Sequence, residues 1–236
     1  MLLKAATGYR AAGKYQEAET LYGQAYEIYR RYITGPDYHM ASLHNNLSLL
    51  YSETGRLKEA KRELERAMEI VRKLDDADVE VAITHTNLGN LCFQMNETAE
   101  GKAHMEQAVR IFEKMPDGKD SHYASALSGL GEAYFHEGNL EASQACYQKA
   151  LDEIFRFYGE NEYYQVTKRN LEIVSDLLRR RQAAEKSQMK GLELAKAYYE
   201  EYGKTMIEEQ FPEYAGRIAA GLVGEGSECL GYDDAW

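Results

Sequence analysis

The run NNLSLLYSETGRLKEA, Asn45–Ala60, decides the fold. Its apolar residues fall at three- and four-residue steps, the spacing that lines one face of an α-helix. Gly55 then interrupts the pattern, and the same steps resume toward Ala60. A small residue that tolerates the left-handed conformation is a usual helix terminator, so the stretch predicts two antiparallel helices joined by a tight turn. The run SGLGEAYFHEGNLEAS, Ser128–Ser143, has the same design, with Gly138 in place of Gly55.

Working outward, the frame recurs along the chain. Tyr9, Tyr51, Cys92 and Tyr134 stand 42, 41 and 42 residues apart. Four residues before them come Ala5, Leu47, Leu88 and Leu130, and four after come Gly13, Gly55, Asn96 and Gly138. Tyr22, Leu64, Met105 and Tyr147 each precede an alanine by three residues, namely Ala25, Ala67, Ala108 and Ala150. Small residues at a fixed register let neighbouring helices approach closely, and a fixed period of this length is the mark of a helical solenoid. Polar breaks separate the units and end in Asp37, Asp78, Asp120 or Asn161, side chains suited to cap the next helix.

These residues resemble the tetratricopeptide repeat family in a long form of about 42 residues like that of kinesin light chains. The expected fold is all-α: a right-handed superhelix of about four αα-hairpins plus capping helices. Repeats are expected at about 1–36, 37–77, 78–119 and 120–160, with a capping helix over 161–185. Arg169-Asn170-Leu171-Glu172-Ile173 matches a fifth first-of-pair helix, and 162–205 reads as one or two long helices. The third repeat departs most, with Cys92 in place of the usual aromatic, Asn96 in place of Gly and Gly101 in place of the small Ala seen at Ala18 and Ala60, and is expected to pack most loosely.

The resemblance implies a concave groove lined by the first helix of each pair. Transferred onto this chain, the groove positions include Thr7, Arg10, Asn45, Asn46, Leu49 and Ser52, then Thr86, Asn87, Asn90 and Phe93. Ser128, Glu132, Phe135 and His136 follow, and Arg169, Asn170 and Ile173 close the set. Amide side chains both donate to and accept from a peptide main chain, and the family places an Asn at the positions of Asn46, Asn87 and Asn170 for that purpose. Gly129 interrupts that series, and the groove lacks a dense Lys/Arg set for a terminal carboxylate. The same Asn side chains could instead bond neighbouring helices.

From about Gly191 the repeat register is lost, and 186–236 reads as a helical connector leading to a different domain. The segment AGLVGEGSECLGYDD, 220–234, resembles the opening of a bacterial nucleotidyltransferase-like domain. That resemblance implies a phosphate-binding turn at Gly226 and Ser227. The family's metal-binding acidic pair would follow Trp236, so the chain is expected to be a truncated form without transfer activity.

Composition narrows the remaining choices. The 236 residues are 44% apolar and 28% charged, with 3 Pro and a mean hydropathy of -0.60, which excludes collagen-like and wholly disordered chains. No apolar run reaches the roughly 18 to 20 residues of a membrane span. The N-terminus shows no signal-peptide pattern, so a cytoplasmic location is expected. A net charge of -11 opposes nucleic-acid binding, which needs clustered cations. The six histidines form no HExxH, and the three cysteines no CxxC. Cys92 and Cys146 are expected to be core-packing residues. No metal, cofactor or catalytic residue is expected, and neither nucleic acid nor a membrane is a partner. The expected function is binding of a partner protein or extended peptide in the groove. Two alternatives stand beside it: recruitment of substrate to a nucleotidyltransferase-like enzyme, and a structural arm that forms homo-oligomers.

Overall fold

The computed structural model describes residues 1–115 and 121–202. It divides into two compact units, Met1–Ser175 and Asp176–Trp236. Among the described residues every regular element is an α-helix. The first unit contains α1 (Leu2–Ala11), α2 (Tyr15–Tyr32), α3 (Tyr38–Glu53), α4 (Leu57–Val71), α5 (Asp78–Gln94), α6 (Thr98–Lys114), α7 (Ser121–His136) and α8 (Leu140–Tyr158). Helix α9 (Glu162–Tyr202) begins in this unit, and its residues from Asp176 onward belong to the second.

Sequence sets the turns. Gly13, Gly55, Asn96 and Gly138 all have positive φ, between 60° and 76°. At Gly55, a residue with a Cβ would clash with its own carbonyl in this left-handed state, so glycine ends α3 without strain. Asn96 supplies the same conformation in the third hairpin with the side chain best able to tolerate it. The helix starts are more varied. Asp37 caps α3 by accepting from the backbone N–H of His39 and Met40, and Asn161 accepts from Tyr164 N–H at 2.8 Å. Asp78 is not a cap: Ala77 holds that position, and Asp78 opens α5. Its carboxylate lies in the first turn, where the helix dipole favours negative charge. Asp120 lies outside the described residues.

The register residues form the core. Tyr22, Leu64, Met105 and Tyr147 are buried, as are Ala25, Ala67, Ala108 and Ala150. Hairpins α1–α2, α3–α4, α5–α6 and α7–α8 stack in chain order into a helical-repeat superhelix. Periodic polar links join successive hairpins: Glu19 to Arg56 at 2.8 Å, Lys61 to Glu97 at 3.0 Å and Lys102 to Glu137 at 2.6 Å. Being partly solvated, such pairs set register more than they add stability.

The third repeat is not left loose. A Cβ at Gly101 would come within 2.6 Å of the Phe93 ring, so the ring occupies the space that an alanine methyl takes elsewhere. Met105 likewise lies against Gly89 and Gly129, and both Met105 and Phe112 are fully buried. Glycine and large side chain compensate in volume, which keeps packing dense.

The start of α9 covers the fourth hairpin. Tyr163 hydroxyl bonds Ser128 Oγ at 3.2 Å, Gln144 Nε2 donates to Ser175 Oγ at 2.8 Å, and Thr167 and Val174 are buried. Burial of an otherwise open end is the requirement a solenoid places on its terminal element. Within the second unit, Asp176 pairs with Arg179 and Arg180, and Arg181 with Glu185. These are helix-surface pairs three and four residues apart. No described helix is long and apolar enough to cross a membrane.

Candidate functional site

A cleft of about 460 Å³ opens across the first helices α3, α5 and α7, with Ala60 and Leu64 of α4 at its floor. Helix α3 contributes Leu49, Ser52 and Glu53, α5 contributes Asn87, Asn90, Phe93 and Gln94, and α7 contributes Glu132. These residues share a wall because positions three and four apart on an α-helix face the same way. The lining mixes two carboxylates, three amides and two serine hydroxyls with the Phe93 ring and the aliphatic Leu49, Leu64 and Leu91. Such a surface offers donors and acceptors to a main chain and apolar contacts to a side chain.

The cleft gathers some of the expected groove residues and not others. Asn87, Asn90, Phe93 and Glu132 line it, together with Leu49 and Ser52. Asn45 does not: it is buried, and its amide donates to Thr84 Oγ1 at 3.0 Å while its carbonyl accepts from Asn87 Nδ2 at 2.9 Å. This three-residue staple joins α3 to α5, so Asn87 has one amide edge committed to packing. Asn46 donates to Ser42 O at 2.8 Å and accepts from Thr7 Oγ1 at 3.2 Å, a link between the first two hairpins. Arg10 is ion-paired with Glu53 across the same junction. Buried amides satisfied in this way hold the stack in one register.

Glu132 and His136 form an exposed pair at 3.9 Å, and the His136 ring stands edge-on to Phe135. Burial pushes the Tyr147 hydroxyl up to about 12, with Glu132 adding to the rise and the nearby Asn170 amide of α9 opposing it. Arg169 is exposed on α9. Gly226 and Ser227 lie outside the described residues.

Glu53 and Gln94 were missed by sequence reasoning. Each stands four residues after a groove position, Leu49 and Asn90 respectively, so extending the helical face by one turn would have found them. A separate cluster was also missed. Cys92 at the end of α5 meets Glu100 and His104 of α6, and the four-residue step from Glu100 to His104 on one helix face was the only local signal of it.

Successive αα-hairpins with a cleft on their first helices define an all-α helical-repeat protein. The chain belongs to the tetratricopeptide repeat family: tetratricopeptide repeat models match residues 1–73, 39–114 and 124–153. No curated protein matches it. Among solved structures it is similar to BtubC (BKLC) from P. vanneervenii, with a TM-score of 0.60, 19% identity, and coverage of 98% of this chain and 83% of that one. It is also similar to a putative kinesin light chain from Podosopora anserina with nearly identical TPR-like repeats. There the TM-score is 0.60 at 18% identity, over 78% of this chain and 88% of that one. The apo form of RapI gives a TM-score of 0.63 at 13% identity, covering 94% and 85% of the two chains. At these identities the likeness is one of fold.

Proposed function

We propose that the protein is an interaction scaffold and that the α3–α5–α7 cleft binds an extended segment of a partner protein. The observation that carries this reading is the composition of the cleft wall: Ser52, Asn90, Gln94 and Glu132 offer hydrogen bonds around the Phe93 ring, on the concave helices of a repeat stack. Extended peptides satisfy such walls through their main chain and gain specificity from side-chain pockets. Asn45 supports the cleft through its bonds to Thr84 and Asn87, whereas Asn46 lies at the α1–α3 junction and Asn170 on α9. The recognition role in this reading moves to Asn90 and Glu132.

The test selects peptides from a displayed library on the full chain and titrates the best of them calorimetrically. Asn90→Ala with Glu132→Ala should weaken binding by about 5- to 150-fold, since each lost hydrogen bond typically contributes about 0.5–1.5 kcal/mol. Thermal stability should stay at the wild-type level, because neither residue belongs to the buried staples. Unchanged affinity would place binding on another surface.

A further inference from the structure

We propose that Cys92, Glu100 and His104 form a binding site for a single zinc ion within the third hairpin. This goes beyond peptide binding and does not depend on it. One ligand atom from each of the three residues lies within 4.8 Å of the others. A tetrahedral zinc ion with bonds of about 2.0–2.3 Å holds its ligand atoms about 3.5 Å apart. Contraction by about 1 Å is within reach of a glutamate and a histidine side chain on a rigid helix, because both can turn about their side-chain bonds. A thiolate, an imidazole and a carboxylate together suit zinc better than calcium or magnesium, which favour oxygen-only shells.

The surroundings of the three residues supply what a metal site needs. His104 Nδ1 lies 2.9 Å from His85 Nδ1, while His104 Nε2 faces Glu100 at 3.8 Å. One proton is shared between the two Nδ1 atoms. When His104 carries it, His85 accepts, and the Nε2 lone pair of His104 is left facing Glu100. Histidines bound to metals commonly donate their second ring N–H to such a partner, which fixes tautomer and ring orientation. His85 is therefore a positioning residue.

A cation already stands at this place. Lys61 Nζ lies 3.0 Å from Glu97 and 3.6 Å from Glu100, and Arg72 adds positive charge near both histidines. Zinc would take Glu100 from the lysine, leaving Lys61 on Glu97. Zinc binds cysteine as the thiolate, so binding releases the Cys92 proton. The fourth position is open to water.

The experiment uses the full 236-residue chain carrying Cys146→Ser and Cys229→Ser, which leaves Cys92 as its one thiol. Cobalt(II) is titrated in the presence of a phosphine reductant, and zinc affinity follows from displacement of the cobalt. One equivalent should give a thiolate-to-cobalt charge-transfer band with the strong visible bands of tetrahedral coordination. Cys92→Ser should abolish the charge-transfer band, and His104→Gln and Glu100→Gln should each lower zinc affinity at least tenfold. His85→Ala should lower it about 10- to 100-fold, with recovery in His85→Asn, whose amide oxygen can still accept the Nδ1 proton. Lys61→Met should raise it, since the competing ammonium is gone. If Cys92→Ser fails to fold, the two glutamine variants decide the matter, with helicity verified by circular dichroism. Absence of the charge-transfer band from the parent chain, or zinc affinity unchanged in both glutamine variants, would overturn the proposal.

Discussion

In the second hairpin the Tyr51 ring lies beneath the Arg56 guanidinium, 4.1 Å from its centroid, and in the fourth Tyr134 lies beneath Lys102 at 4.5 Å. At the same register point of the third hairpin stands Cys92, buried among Glu97, Glu100 and His104. Lys61 is the counterpart of Lys102 one repeat earlier; both pair with the carboxylate that follows the next hairpin's turn residue or stands beside it, Glu97 and Glu137, and Lys61, with no ring to cover, also reaches Glu100 at 3.6 Å. The helices and turns hardly register the exchange. What fixes the frame is the left-handed turn residue and the small residue at the helix crossing, and the chemistry of the seam between them can change independently. The third hairpin makes up for its smaller Cys92 and Gly101 with Phe93 and Met105, which reach into the vacated volume.

The largest expected effect tests the part of the frame that all hairpins share. Ala67 is fully buried where α4 meets its neighbours. Replacing it by Trp forces a large ring into a closed crossing and should destabilise the stack by about 1–3 kcal/mol, measured by urea denaturation. A neutral outcome would show that the crossing is looser than the burial of its alanines implies.

A smaller effect separates the two hairpins. Position 60 of the second carries Ala and position 101 of the third carries Gly, both buried. Gly101→Ala brings a methyl to 2.6 Å from the Phe93 ring and 3.1 Å from the Gly89 carbonyl oxygen. Overpacking of about 1–3 kcal/mol is offset by about 1 kcal/mol of helix propensity, so a net loss of about 1 kcal/mol is expected. Adding Phe93→Leu should restore most of it, because the ring is the group that must move. Were Gly101→Ala stabilising on its own, the volume exchange between these positions would be refuted.

The hairpin frame was legible in the sequence because it depends on local rules. Turn residues with positive φ, alanines at a fixed register and apolar residues at helical steps each leave a mark within one hairpin. Asp37 and Asn161 were legible as caps for the same reason, whereas Asp78 was misread because an acidic residue serves the first turn of a helix as well as its cap. The site was legible only in part. Whether Asn45 faces a ligand or Thr84 depends on a helix 39 residues away, and sequence spacing carries no information on that choice. Packing in the third hairpin was misjudged for a related reason: each small residue was read alone, while its compensating partner sat on another turn or another helix. The Cys92–Glu100–His104 cluster escaped because its ligands come together only when the hairpin closes around Asn96.

The smallest expected effect concerns that turn. Gly55 and Asn96 occupy the same left-handed position, with φ of 76° and 60°. Glycine has no Cβ to place against the backbone there, whereas asparagine retains part of the steric penalty that other residues carry in full. Glycine also loses more backbone entropy on folding, which offsets some of its advantage. Asn96→Gly should therefore stabilise the chain by only about 0.5 kcal/mol, and Gly55→Asn should destabilise it by a similar amount. Gly55→Ala should be worse than Gly55→Asn, by about 1 kcal/mol, because alanine has no polar side chain to satisfy the turn locally. Denaturation midpoints of the three variants at unchanged slope check the ranking. If the two hairpins shared only sequence spacing and not turn geometry, the Asn and Gly exchanges would fail to mirror each other.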